Sequence, residues 1–299
     1  MIAWLRVGLI ASTLTLMTLV QMPLQNLAIA RKWRLARRLP FLWHRIACRL
    51  IGIRVTLNGR PATERPLLIV ANHQSWADIT VLGRVTELSF IAKAEVRSWP
   101  AFGTLARLQR TVFVERGERH RTGEQADAIA ERLVEGDAMV LFAEGTTSDG
   151  NEVLPFKTAL FGAAQAALRQ AGGAVLVQPV AVAYRGAHGL PLGRYGRPLA
   201  AWPGDVPLLP HLLAFLREGA IDVEVSFGTP IPFDAGGDRK RLARQVESEV
   251  RRMLAASLRG PNCHGRLQSV ASPDDSALAR ATGQSDIGSE TERSFQKGA

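Results

Sequence analysis

Residues 7–30 carry no charged side chain, although 21% of the chain is Asp, Glu, Lys or Arg. An uncharged run of about twenty residues is enough to cross the hydrocarbon core of a bilayer as a helix. The first part, VGLIASTLTLMTLV at 7–20, is strongly apolar, whereas QMPLQNLAIA at 21–30 is weaker and contains Pro23. The segment is expected either to span with a kinked end or to lie partly in the interface. Ala28-Ile29-Ala30 has the small-x-small form of a secretory cleavage site, but the charges stand on the wrong side of the run. Only Arg6 precedes it, while eight basic residues and no acid occupy 31–54 (Arg31, Lys32, Arg34, Arg37, Arg38, Arg45, Arg49, Arg54). Anchoring is favoured over cleavage, and the positive-inside tendency keeps the cluster and the chain beyond it on the cytoplasmic side of the membrane.

The formal charge of +10 points to an anionic partner, either nucleic acid or membrane. Position decides between them. The basic cluster comes directly after the apolar run, where each charge facing anionic headgroups contributes about 1 kcal/mol. No zinc-finger spacing or ribonucleoprotein-type aromatic motif is present, so an anionic membrane is expected and nucleic acid is not. Residues 33–53 interleave tryptophan, leucine, isoleucine and phenylalanine with the arginines. That mixture suits an interfacial helix; the alternative is a helix packed on the globular core with a solvated basic face. Cys48 and Cys263 are far apart and outside any C-x-x-C pair, which argues against a disulfide framework or thiolate metal site.

From residue 54 short apolar runs alternate with helical stretches. Strands are expected at 54–57, 67–71, 88–91, 111–115, 139–143, 175–184 and 223–227, and helices at 119–135, 158–170 and 239–258. Several of the strands are rich in Val and Ile throughout, as strands covered on both faces are. The pattern predicts an α/β fold, a mixed sheet flanked by helices, with an N-terminal membrane-anchoring helix and a disordered C-terminal tail. The expected divisions are a membrane anchor helix (1–32), a basic amphipathic interfacial segment (33–53), the α/β domain (54–259) and the tail (260–299), which is too poor in large apolar residues to offset the entropy of ordering. Residues 200–212, with three prolines, read as a loop over the sheet edge or membrane.

The strand at 67–71 runs into Asn72-His73-Gln74-Ser75-Trp76-Ala77-Asp78, and strand ends opening into helices are where α/β folds place reactive groups. His73 can accept a hydroxyl proton near neutral pH, and Asp78 could hold its tautomer and stabilise the imidazolium. Five residues apart on one continuous helix they would lie about 140° from each other. The pair works only if His73 sits at the helix entry and Asp78 reaches back; otherwise Asn72 or Ser75 is an ordinary cap and Asp78 a first-turn acid. The strand at 139–143 ends in Glu144-Gly145-Thr146-Thr147-Ser148-Asp149-Gly150, a loop whose backbone can approach a ligand closely. Arg116 ends a third strand and can grip an anion, and Lys157 comes after the glycine loop. His44, His120, His188, His211 and His264 are scattered and read as structural or surface. No metal-ligand cluster is expected, and G-x-S-x-G, the nucleophile elbow of serine lipases, is absent.

In combination these segments resemble the lysophospholipid acyltransferase family, over roughly 65–185. The stretch at 72–78 is similar to the family block N-H-x-x-x-x-D; Lys93 through Pro100, Gly103 and 112–116 to its second block; 142–148 to F-P-E-G-T-R-S; and 177–182 to a strand with a central proline. The resemblance implies O-acylation of a lysolipid by direct transfer from a thioester, with His73 as base and Asp78 orienting it. Glu144, Gly145, Thr146 and Thr147 would position the acceptor beside Arg116 and Lys157. It implies no bound cofactor; the donor is acyl-acyl carrier protein or acyl-CoA. Two departures stand out. Ala143 replaces the usual proline, and Thr147 replaces an arginine that, in the family, is thought to meet the phosphate of lysophosphatidate. The variant E-G-T-T-S-D-G resembles enzymes that complete ornithine lipids, whose acceptor hydroxyl lies on a 3-hydroxyacyl chain. The expected acceptor is therefore lyso-ornithine lipid, 1-acylglycerol-3-phosphate, or both, since Arg116, Lys157 or Arg110 could still hold a phosphate. The alternatives are a strict 1-acylglycerol-3-phosphate acyltransferase and a non-catalytic basic membrane-binding protein.

Overall fold

The structure, a computed structural model, describes residues 1–115, 122–171, 173–204, 206–234 and 236–260. The expected tail (its first residue, Gly260, excepted), Cys263, His264, His120 and Arg116 fall outside the described residues. In chain order the elements are α1 (Ile2–Ala30), α2 (Leu35–Ile51), β1 (Ile53–Asn58), β2 (Leu67–Ala71), α3 (Ala77–Gly83), β3 (Ser89–Lys93), α4 (Phe102–Leu108), β4 (Val112–Val114), α5 (Thr122–Val134), β5 (Ala138–Phe142), α6 (Gly162–Ala171), β6 (Val175–Ala187), β7 (Leu190–Pro191), α7 (Gly193–Gly196), α8 (Leu208–Glu218), β8 (Ile221–Phe227), β9 (Ile231–Phe233) and α9 (Arg239–Arg259).

The strands form one mixed sheet in the order β1-β8-β6-β2-β5-β3-β4, with β7 and β9 added against β6. Five neighbours, β6, β2, β5, β3 and β4, run parallel. β8 is antiparallel to β6 and carries β1 parallel to itself. The two central strands read LLIVA and AMVLF and are buried at every position, which requires cover on both faces. The period of two then sorts their side chains. Leu67, Ile69, Ala71, Val140 and Phe142 pack with Val7, Ile10, Ala47, Val81 and Phe215, from the side of α1, α2, α3 and α8. Leu68, Val70, Met139 and Leu141 pack with Leu133, Ala167, Val246 and Val250, from the side of α5, α6 and α9.

One expectation requires correction. Residues 200–212 are a loop only as far as Pro207, because α8 begins at Leu208. Pro210 lies in its first turn, where a missing N–H removes no intrahelical bond. The first helix, α1, runs through Pro23 to Ala30.

Both ends of α1 rest on the α/β unit. Near its start Val7 and Ile10 are buried, and near its end Gln25 and Ala28. Arg6 Nη1 donates to the carbonyls of Leu216 (2.9 Å) and Arg217 (3.2 Å), and Nη2 to that of Ile51 (2.6 Å). One guanidinium thus satisfies the C-terminal carbonyls of two helices, where a cation is favoured. Gln25 Nε2 donates to Ala36 O (3.0 Å) and Leu108 O (2.6 Å). α2 also packs inward, through Leu39, His44, Ala47, Cys48 and Ile51, leaving Arg34, Arg38, Arg45 and Arg49 exposed or half-buried. Arg37 of α2 joins Arg110 and Arg132 around Asp137, whose side chain is only 2% exposed. The cluster fastens the helical layer to the start of β5.

Candidate active site

Asn72 opens the site by closing off β2. Its side chain donates to Val182 O (3.0 Å) and accepts from Val182 N (2.8 Å). This paired contact pins the departing chain to β6 and turns His73 out of the sheet. Asp78 is the second residue of α3 and fully buried, and its carboxylate points back toward the turn that leads in. Oδ2 accepts from His73 Nδ1 (2.8 Å), Gln74 N (2.8 Å) and Ser75 N (3.0 Å), and Oδ1 from the Tyr184 hydroxyl (2.9 Å). The helical-wheel objection to the pair is met in this way: His73 lies outside the helix and the aspartate bridges to it. Asn72 does not cap α3, whereas Ser75 Oγ accepts from Ala77 N (3.3 Å), the first N–H of the helix.

The carboxylate fixes the histidine tautomer. An ionised aspartate only accepts, so Nδ1 must carry the proton and Nε2 keeps its lone pair. Phe142, the last residue of β5, stacks on the imidazole at 4.0 Å and 17°, and the His73 side chain is 19% exposed. One edge of a clamped ring is therefore open.

The glycine loop after β5 is tied to the same turn. Ser148 N donates to His73 O (2.9 Å), and Gly145 takes φ 74°, a left-handed conformation that glycine adopts without a side-chain clash. Glu144 is 1% exposed. Its Oε1 accepts from His73 N (2.7 Å) and its Oε2 from Leu154 N (2.9 Å). A residue expected to contact the acceptor is thus turned inward, as a brace between the loop and the histidine. Burial pushes its carboxyl up to about 8, against the opposing pull of those two N–H bonds.

Thr146 is exposed, whereas Thr147, where the family arginine would stand, is 8% exposed beneath Gly204. Lys157 is exposed, its backbone N–H bonded to Ala143 O (2.9 Å). Arg110 does not belong to this site. It pairs with Asp137 before β5, at the opposite end of that strand from Glu144, roughly 17 Å away by strand rise. The remaining described histidines have structural partners. His44 bonds Gln109 (2.8 Å), His211 accepts from the Trp76 indole (3.1 Å), and His188 meets Glu218 (3.1 Å).

Sequence reasoning missed Tyr184, Asn72 as a brace and Phe142 as a stacking partner. Tyr184 left one trace, a hydroxyl ending the otherwise apolar run VAVAY. It also missed the segment 197–204, which lies over the glycine loop. Trp202 N donates to Gln74 O (2.6 Å), and the Trp202 ring meets Trp99 edge-on at 6.2 Å.

This geometry can be set beside known proteins. The Acyltransferase family model matches residues 52–183. The lyso-ornithine lipid O-acyltransferase of Brucella abortus is 57% identical over 87% of this chain and 98% of its own length, and that of Rhizobium meliloti is 51% identical over 87% and 89%. The 1-acyl-sn-glycerol-3-phosphate acyltransferase of Neisseria gonorrhoeae is 36% identical over 69% and 75%. Among solved structures, the 1-acyl-sn-glycerophosphate acyltransferase of Thermotoga maritima has the same fold, with a TM-score of 0.55 over 85% of this chain and 96% of that one at 24% identity. Similarity this high across nearly the whole of its relatives, on a shared fold, means that the chain belongs to the acyltransferase family and is an enzyme.

Proposed function

We propose that the protein transfers an acyl chain from a carrier thioester to the free hydroxyl of a lysolipid, with lyso-ornithine lipid as its preferred acceptor. The observation that carries the reaction is the His73–Asp78 pair beside the glycine loop. His73 Nε2 removes the acceptor hydroxyl proton as the oxygen attacks the thioester carbonyl. Asp78 stabilises the imidazolium that forms. Collapse of the tetrahedral intermediate expels the carrier thiolate, which takes that proton. A backbone N–H of the 144–150 loop would steady the oxyanion. The donor is acyl-acyl carrier protein or acyl-CoA, and the chain's own residues supply the acid–base chemistry.

The acceptor preference rests on the cation absent at position 147 and on the names of the Brucella and Rhizobium relatives. Arg116 and Lys157 remain candidates for the headgroup. We infer further that the enzyme works at the cytoplasmic face of the inner membrane. α1 is long and apolar enough to cross a bilayer, but it touches the α/β unit at both ends. Its free face of Leu5, Leu9, Leu16, Leu19, Val20 and Leu24 suits immersion in one leaflet, with the exposed arginines of α2 at headgroup level.

The test is an acceptor panel. Purified protein in lipid nanodiscs receives labelled acyl-acyl carrier protein or acyl-CoA, with lyso-ornithine lipid or 1-acylglycerol-3-phosphate as acceptor. Acylation of the ornithine acceptor at least about tenfold faster is expected, the effect of one charge-assisted contact. Acylation of 1-acylglycerol-3-phosphate alone would overturn the preference.

A further inference from the structure

The segment after β7 runs along the glycine loop. At one end a Cβ on Gly204 would lie 3.0 Å from Thr146 Oγ1 and 3.9 Å from Thr147 Oγ1. In the middle the Ala201 methyl would lie 3.4 Å from a Cβ on Gly150. At the other end Arg197 Nη1 donates to Asn151 Oδ1. The segment therefore carries Arg197, with the exposed Arg194 three residues before it, to the far end of the loop on which Thr147 stands.

Arg197 has unused capacity. A guanidinium offers five N–H donors in a planar fork, and Arg197 Nε is buried with no hydrogen-bond partner among the described residues. An unmade bond of this kind is costly, and the guanidinium as a whole is only half-buried. Asp149 shares the cluster. Its carboxyl is held below the usual carboxylate range first by the Asn151 side chain and then by Arg194 and Arg197. Two arginines and one carboxylate leave the three side chains with a net single positive charge, and the carboxylate of Asp149 is exposed.

Resting on the acceptor proposed for the active site, we propose that Arg197 and Arg194 bind the α-carboxylate of the amino-acid headgroup of the acceptor, while Asp149 faces its side-chain ammonium. The displacement of the cation from 147 to 197 arises from the substrates. In a lysophosphatidate the phosphate is attached close to the acceptor hydroxyl. In a lyso-ornithine lipid an amide and the ornithine α-carbon intervene, so the carboxylate lies further along the molecule and needs a more distant arginine. Asp149 adds discrimination, because it attracts the ammonium of a zwitterion and repels a phosphate dianion.

The test compares lyso-ornithine lipid with its α-methyl ester, which keeps the hydroxyl, the amide and the ammonium but has no carboxylate. Wild-type enzyme is expected to use the acid at least about tenfold better in kcat/KM, mainly through KM, the effect of losing one charge-assisted contact. In Arg197→Gln and in Arg194→Gln/Arg197→Gln that preference should shrink to about twofold or less. Equal use of acid and ester by wild type overturns the assignment, whether or not the variants fold. So does an unchanged acid-to-ester ratio in a folded Arg197→Gln. A wild type that acylates lysophosphatidate but neither ornithine compound instead removes the proposed acceptor, and this subsite with it.

Discussion

Tyr184→Phe isolates the support behind the catalytic pair. Tyr184 is fully buried on β6, and its hydroxyl donates to Asp78 Oδ1 at 2.9 Å. Burial first, then the neighbouring Asp78 charge, holds its phenol protonated well above the ordinary tyrosine range, so it remains a donor at every working pH. Phenylalanine fills the same space and removes one hydrogen bond to a charged acceptor, worth about 1.5–3 kcal/mol. Asp78 keeps its three donors on Oδ2, so the fold should survive with a loss of about 1–3 kcal/mol, the desolvation cost of the unpaired oxygen. Catalysis should respond in two ways. A carboxylate relieved of one donor holds more negative charge and stabilises the adjacent imidazolium more strongly. If about a third of the lost bond energy is passed on, the acid limb of the kcat/KM profile moves to higher pH by about half a unit. A less firmly held carboxylate should also lower kcat about three- to tenfold, with little change in KM. The assay is initial-rate acyl transfer across pH 5 to 9. A profile that superimposes on wild type, with kcat unchanged, would refute the claim that Tyr184 acts through Asp78.

Two further predictions concern stability. Glu144 keeps its proton in the folded state up to about pH 8, whereas an unfolded chain releases it near the ordinary glutamate value of about 4.3. Between those values the folded protein binds the extra proton, so this group's stabilisation is complete at low pH and is lost as pH rises through about 8; denaturation in detergent across that range should show the decline, and Glu144→Gln, which cannot titrate, should flatten it. Asp137→Asn removes the negative charge, and one of the two acceptor oxygens, that gather Arg37, Arg110 and Arg132. Breaking a buried pair costs about 3–5 kcal/mol, but these arginines reach solvent in part, so about 2–3 kcal/mol is expected in denaturant titration, and a change under about 0.5 kcal/mol would show that the cluster holds nothing together.

The layered α/β fold was legible because β2 and β5 are apolar at every position, a pattern that only a strand covered on both faces carries. Strand order was not, since LLIVA and AMVLF contain nothing that names a neighbour; the reversal of β8 and β1 against β6 arises from pairing at long separation. Prolines misled at 200–212, where residue identity signalled a break and position in the first turn of α8 removed the penalty. In the site, His73 and Asp78 could be named from their place after a strand, but the sharing of Asp78 among four donors depends on β6 lying beside β2. Glu144 shows the limit most clearly. An acidic residue in a glycine loop suggests contact with a ligand, and only coordinates show that its two oxygens are taken by the N–H groups of His73 and Leu154.

The central claim is that His73, oriented by Asp78, takes the proton of the acceptor hydroxyl. Single-turnover transfer from labelled acyl-carrier thioester to lyso-ornithine lipid by His73→Ala, with folding checked by circular dichroism, tests it directly. A fall of about a hundred- to ten-thousandfold is predicted, the usual contribution of a positioned general base; transfer at the wild-type rate would contradict the account.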